Sequence, residues 1–129
     1  MKQNISIQDL DQLSNKGKDR LREWWSDGRQ NIGDWYYDGL YIRVVLDDEG
    51  RIHENIPFLP LLSLGQMIQF LDEKWKWIFI KKYKHEDGKG YKYNYWSVTN
   101  TTHELRKGPS KELCDSLWQA VREILEKDE

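Results

Sequence analysis

Three histidines each stand directly before a glutamate, at His53-Glu54, His85-Glu86 and His103-Glu104, and they are the first candidates for acid–base or metal chemistry. Adjacent residues in a strand point to opposite faces, so none of these pairs is a preset chelate. None extends to the H-E-x-x-H spacing that sets two imidazoles on one helix face. Asp47, Asp48 and Glu49 lack the alternating ligand spacing of a calcium loop and read as a solvated turn. Cys114 is the single cysteine, which excludes an intramolecular disulfide and a Cys-based zinc site. It falls inside an apolar helical stripe with no histidine close in sequence, the setting of a packed thiol. The expectation is a protein that is not an enzyme, with no metal and no cofactor.

A second pattern could do binding chemistry. In KKYKHEDGKGYKYNYW, Lys81 to Trp96, lysines alternate with tyrosines around a Gly-rich turn, and six lysines between Lys76 and Tyr95 face only Glu86 and Asp87 in charge. Tyrosines interleaved with lysines can stack on bases and hold phosphates, as aromatics on single-strand binding sheets do. A structural explanation competes, because tyrosine favours strands and lysine keeps sheet edges soluble. A two-residue turn at Asp87-Gly88 sets Phe79 opposite Trp96, Lys82 opposite Tyr93 and Lys84 opposite Tyr91. Ile78, Ile80, Lys82 and Lys84 then share a face with Tyr91, Tyr93 and Tyr95; an odd-length loop pairs the sets differently. With Tyr41 and Arg43, these residues are the candidate binding set: Tyr91, Tyr93, Tyr95, Lys82, Lys84, Tyr41 and Arg43.

The elements that must position them are readable from periodicity. From Ser6 to Trp25, the residues Ile7, Leu10, Leu13, Gly17, Leu21, Trp24 and Trp25 fall on one arc at 100° per residue, an amphipathic helix. Ser6 with Asp9 resembles a cap, and Gly17 either permits a close approach or marks a kink. From Trp35 to Leu46 the period is two, with Tyr36, Leu40, Ile42, Val44 and Leu46 on one face and Trp35, Tyr37, Tyr41, Arg43 and Val45 on the other. Asp38-Gly39 can split this run into a tight hairpin, and Arg51 to Glu54 can return as a short edge strand after the DDEG turn.

Ser63 and Gln66 form an S-x-x-Q capping box ahead of Leu64, Met67, Ile68, Leu71 and Trp75, the stripe of a second helix. Trp77 to Lys84 and Tyr91 to Thr99 are two strands. Ser110 opens a third helix, whose stripe is Leu113, Leu117, Val121, Ile124 and Leu125. The fold class expected is α+β, an antiparallel sheet of four to five strands with three packed helices in the order α-β-β(β)-α-β-β-α. A chain of 129 residues fits one domain, 1–129.

Seven Trp and seven Tyr supply the large buried areas that a composition of 38% apolar residues otherwise lacks. Net charge is −2, which excludes a polycation that holds nucleic acid nonspecifically and a polyanion that imitates it. The run Ile56 to Leu64 is broken by Pro57, Pro60 and Ser63 and is far too short to span a bilayer, and the N-terminus lacks a signal-peptide core. The expected setting is the cytoplasm, away from membranes.

The segments LPLLSLGQMIQFL (Leu59 to Leu71) and ELCDSLWQAVREIL (Glu112 to Leu125), preceded by LSNKGKDRLREWW, resemble small uncharacterised accessory proteins encoded by phages and prophages of Gram-positive bacteria. The resemblance implies helices packed on a short sheet and carries no catalytic residues. By analogy with such proteins, it implies a non-enzymatic protein that binds and inhibits a host protein, for example a host-defence effector such as a CRISPR nuclease. The alternative is a nucleotide or single-stranded RNA/DNA binding protein that sequesters its ligand on the Lys/Tyr face. A homodimer in which the aromatic face pairs with itself is a third possibility.

Overall fold

Serine caps open three of the helices, at Ser6, Ser14 and Ser63. The computed structural model describes residues 2–46, 58–75, 77–86, 88–90, 92–100 and 112–127. They gather into two compact units, one of Asn4–Leu62 with Arg122–Glu129, the other of Met1–Gln3 with Ser63–Val121. Among the described residues the class is α+β, with four helices and two small antiparallel sheets, of three and two strands. A single sheet of four to five strands is not what the described residues form.

In the first unit, Ser6 opens α1 (Ile7–Asp11) with a reciprocal box: its hydroxyl accepts from Asp9 N at 3.2 Å, and its own N–H donates to Asp9 Oδ2 at 2.8 Å. Aspartate thus completes a box usually closed by Glu or Gln. The single helix expected from Ser6 to Trp25 is two helices. Ser14 caps a new one, α2 (Asn15–Ser26), by accepting from Gly17 N at 3.1 Å. A serine side chain competes with helix continuation by satisfying the next turn's free N–H groups, and here that competition wins. The apolar stripe survives the break, because Leu10, Leu13, Gly17, Leu21, Trp24 and Trp25 are all buried.

The three-stranded sheet has the order β2-β1-β3 and comprises β1 (Trp35–Tyr37), β2 (Ile42–Val44) and β3 (Leu59–Pro60). Trp25 anchors it. Its indole N–H donates to Asp34 Oδ2 at 3.0 Å, its ring lies 5.8 Å from that of Tyr36, and Tyr36 stacks on Phe58 at 5.6 Å. A buried indole needs such an acceptor, and the tilted ring contacts add to the area it buries. Ile5 N donates to Leu62 O and Asn4 Nδ2 to Leu61 O, which fastens the N-terminal segment beside the chain that leaves β3.

The second unit starts its helix α3 (Leu64–Lys74) with the predicted box. Ser63 Oγ accepts from Gln66 N at 3.2 Å, and Ser63 N donates to Gln66 Oε1 at 2.9 Å. Met67, Phe70 and Leu71 are its buried face. The ribbon of β4 (Phe79–Glu86) and β5 (Lys92–Thr99) starts two residues later than predicted on its first strand. Helix α4 (Leu113–Glu126) supplies Cys114, Leu117, Trp118, Ala120 and Val121 to the buried set; of the predicted stripe, Leu117, Val121 and Leu125 are buried, while Leu113 and Ile124 are half-buried. Ser116 Oγ donates to Trp96 O at 3.0 Å, and beside it on β5 Ser97 and Val98 are buried.

Ribbon register is where expectation and structure part. Phe79 lies opposite Thr99, Lys82 opposite Trp96, Lys84 opposite Asn94, and the ladder ends at Glu86 opposite Lys92. Residues 87–91 therefore form a connection of odd length, where an even turn at Asp87-Gly88 was expected. Because side chains alternate with period two, this change of parity moves every residue of one strand to the other face relative to its partner. Gly88 and Gly90 hold φ of 79° and 89° within it, conformations that side chains with a Cβ rarely adopt. The predicted edge strand Arg51–Glu54, the DDEG turn and the start of the third helix at Ser110 lie outside the described residues.

Candidate protein-binding surface

The β1–β2 hairpin is built around one carboxylate. Asp38 Oδ1 accepts from Leu40 N at 2.8 Å and Tyr41 N at 2.7 Å, and Oδ2 accepts from Arg43 Nε. Asp38 N donates to Tyr41 O at 3.1 Å, so Gly39 and Leu40 are the two residues of the turn, with Gly39 at φ 97°. Tyr37 Oη donates to Gly39 O at 2.9 Å. Asp and Gly are the residues that such a turn favours, one for its side-chain acceptor and one for its positive φ. The N–H of Tyr41, then the Arg43 guanidinium and the N–H of Leu40, lower the Asp38 carboxyl to about 2. Its negative charge raises the Arg43 pKa in return.

This turn fixes which residues face outward. Trp35 lies opposite Val44, Tyr36 opposite Arg43 and Tyr37 opposite Ile42. Gly33 N donates to Val45 O and Val45 N to Asp34 O, so Gly33 and Asp34 both bond Val45, a bulge one residue beyond the Trp35–Val44 pair. One face therefore holds Trp35, Tyr37, Ile42, Val44 and Leu46, the other Asp34, Tyr36, Arg43 and Val45. Tyr36 and Val45 are the inward positions: Tyr36 meets Trp25 and Phe58, and Val45 is buried. The aliphatic residues Ile42, Val44 and Leu46 were expected beside Tyr36, and the correction has a simple cause. In a continuous strand, even-numbered residues share a face; a hairpin whose partners sum to 79 pairs each even position with an odd one.

The outward face is apolar and open. Trp35 is 46% exposed, Ile42 54%, Val44 40% and Leu46 79%, with Leu40 and Tyr41 at 80% and 64% on the tip. Fully exposed hydrophobic residues scattered singly are ordinary; a contiguous group is not. Arg43 reaches across the tip, its guanidinium carbon 6.0 Å from the Tyr41 ring centroid, while Oδ2 of Asp38 neutralises it. The only ion pair of the hairpin among the described residues thus lies off the apolar face.

Of the sequence-derived site residues, Tyr41 and Arg43 come together on this tip. Lys82 and Lys84 are exposed on β4, and the Lys82 ammonium stands 5.4 Å from the Trp96 ring centroid. The ribbon register places positions 93 and 95 opposite His85 and Tyr83, on the face of Lys81, so they do not share a face with Lys82 and Lys84. Tyr91 lies outside the described residues. Sequence reasoning left Ile42, Val44 and Leu46 out of the candidate set. The signal was present in Asp38-Gly39: carrying the hairpin register through the flanking residues puts Trp35 beside the aliphatic row.

Among the described residues, no group of three His, Cys, Asp or Glu side chains is placed to hold a metal ion, and Cys114 is fully buried. No described helix is long and apolar enough to cross a membrane. Comparison with protein-family models, with curated proteins and with solved structures returns no match.

Proposed function

We propose that the chain is a non-enzymatic protein that works by occupying a surface of another protein, with the β1–β2 hairpin as its recognition surface. The observation that supports this is the contiguous apolar face of Trp35, Ile42, Val44 and Leu46, continued by Leu40 and Tyr41 at a turn held rigid by Asp38. Rigid aromatic and aliphatic anchors are the side chains that dominate interface energetics, and a preorganised turn reduces the entropy lost on docking. The resemblance to phage and prophage accessory proteins points to a host protein as the partner class, for example a defence effector such as a CRISPR nuclease, blocked sterically or allosterically. A net charge of −2 fits blockade better than imitation of DNA.

The test is a pull-down from host lysate with the tagged full chain and two hairpin variants, Tyr41→Ser and Ile42→Glu. Wild type is expected to retain one protein at stoichiometric levels that both variants lose. Recovery of no such protein, or equal recovery by the variants, removes the reading.

A further inference from the structure

We infer that, in the absence of its target, the Trp35–Ile42–Val44–Leu46 face closes on the same face of a second copy of this chain, so that the resting form is a reversible two-fold dimer. This rests on the reading of the hairpin as a protein-docking surface and names the partner that masks it.

Size is the first argument. The fractional exposures of the face leave on the order of 500 Å2 uncovered, the upper part of the range for the largest patch of a soluble monomer, a size at which such patches are often functional. Self-packing buries that area twice. With the polar rim added, the total comes to roughly 1,200 Å2, the lower end of the range for specific interfaces, as expected of a dimer that must open to admit a target.

Charge is the second argument. The face carries no ionised group: the hairpin's cation, Arg43, and its carboxylate, Asp38, satisfy one another on the tip, and Asp34 is engaged by the Trp25 indole on the opposite side. An acidic or basic partner therefore finds nothing to select, whereas an identical copy meets no like charge at the centre of the contact. A two-fold axis lying between the two faces and perpendicular to the strands sets the Trp35–Val44 end of one copy over the Tyr37–Ile42 end of the other, an isologous contact in which an aromatic and a β-branched residue meet at both ends. A contact without ionised groups at its centre loses nothing when salt screens the charges around it.

Sedimentation of the full chain from about 1 µM to about 200 µM spans the affinities expected for an interface of this size. The weight-average mass is expected to rise from 15.6 kDa towards twice that value, unweakened by added salt. Ile42→Glu and Leu46→Lys, at exposed positions, are expected to keep the wild-type thermal midpoint and to stay at the monomer mass throughout. A wild type that remains monomeric at every concentration overturns the inference, and so do variants that fold and dimerise as the wild type does. The two readings fail separately. A monomeric wild type that loses its target on Tyr41→Ser leaves recognition standing without the dimer, and a dimer that retains no target does the reverse.

Discussion

Glu126 caps a helix to which it does not belong: its Oε1, in the last turn of α4, accepts the N–H of Ser14 at 2.8 Å, directly over Gly17 in the first turn of α2. A Cβ at position 17 would run into that carboxylate, so the glycine is what lets a remote side chain reach the free donors of the helix start. Arg20 returns the arrangement by donating to the carbonyls of Leu125 at 2.8 Å and Lys127 at 2.6 Å, at the C-terminal end of α4. Each helix end is thus satisfied by a side chain of the other, and the helix dipoles favour both signs of charge.

Gly17→Ala should therefore have different effects in two backgrounds. Alone, the gain of up to about 1 kcal/mol in helix propensity is offset by loss of the Glu126 bond, worth about the same. With Glu126→Ala already present the clash is gone, and Gly17→Ala should stabilise. Urea denaturation of the four proteins of this double-mutant cycle should return a coupling of about 1 kcal/mol. Additive effects would mean that Glu126 does not cap α2.

Acid should act at the hairpin turn below the pH at which ordinary carboxylates titrate. Asp38 has its folded pKa depressed to about 2 from 3.8, so its contribution is complete above the unfolded value and is lost as pH falls from about 4 to about 2. Glu126 is depressed as well, chiefly by the Ser14 hydroxyl and N–H, and its contribution is lost in the same direction. Amide chemical shifts of Leu40 and Tyr41 should hold steady down to about pH 4 and move below it. Asp38→Asn, which keeps an acceptor but no charge, should abolish that movement.

Trp25 should be the most costly single truncation in the first unit. It is 1% exposed, donates to Asp34 and supports Tyr36. Trp25→Ala should destabilise by about 3–5 kcal/mol, and Trp25→Phe by about 1–2, the loss of one ring and one buried hydrogen bond. Thermal or urea unfolding measures both.

Lys82→Ala should barely change stability, because an exposed cation over an aromatic ring contributes about 0.5–1 kcal/mol at most. Its effect on oligonucleotide binding separates the alternative reading from the leading one. A titration of single-stranded RNA that shows steep salt dependence, abolished by Lys82→Ala, would favour a ligand-sequestering ribbon over the hairpin.

What sequence could show follows from which forces are local. The Ser63–Gln66 box and the stripe of α4 are written in residues three or four apart; the box stands as read, and the stripe holds at Leu117, Val121 and Leu125 but not at Leu113 and Ile124. The stripe of the first helix was equally legible, but its interruption was not, because Ser14 can cap a helix or sit within one. The remote carboxylate that answers its N–H is 112 positions away. The short strand at Leu59–Pro60 carried no alternating pattern at all, since both residues are buried. The candidate surface was half legible: Trp35 and Tyr41 stood out by type, while the aliphatic row beside Trp35 depended on a register that two turn residues set.

The five positions between Glu86 and Lys92 have a consequence for engineering. Ribbon parity depends on whether that connection holds an odd or an even number of residues. Removing one of them and keeping a connection of five draws Lys92 into the turn, and the one-residue slip sets position 93 opposite Glu86 and position 95 opposite Lys84, on the lysine side of β4. The stacking surface that the wild-type spacing keeps divided is one register step away from assembly.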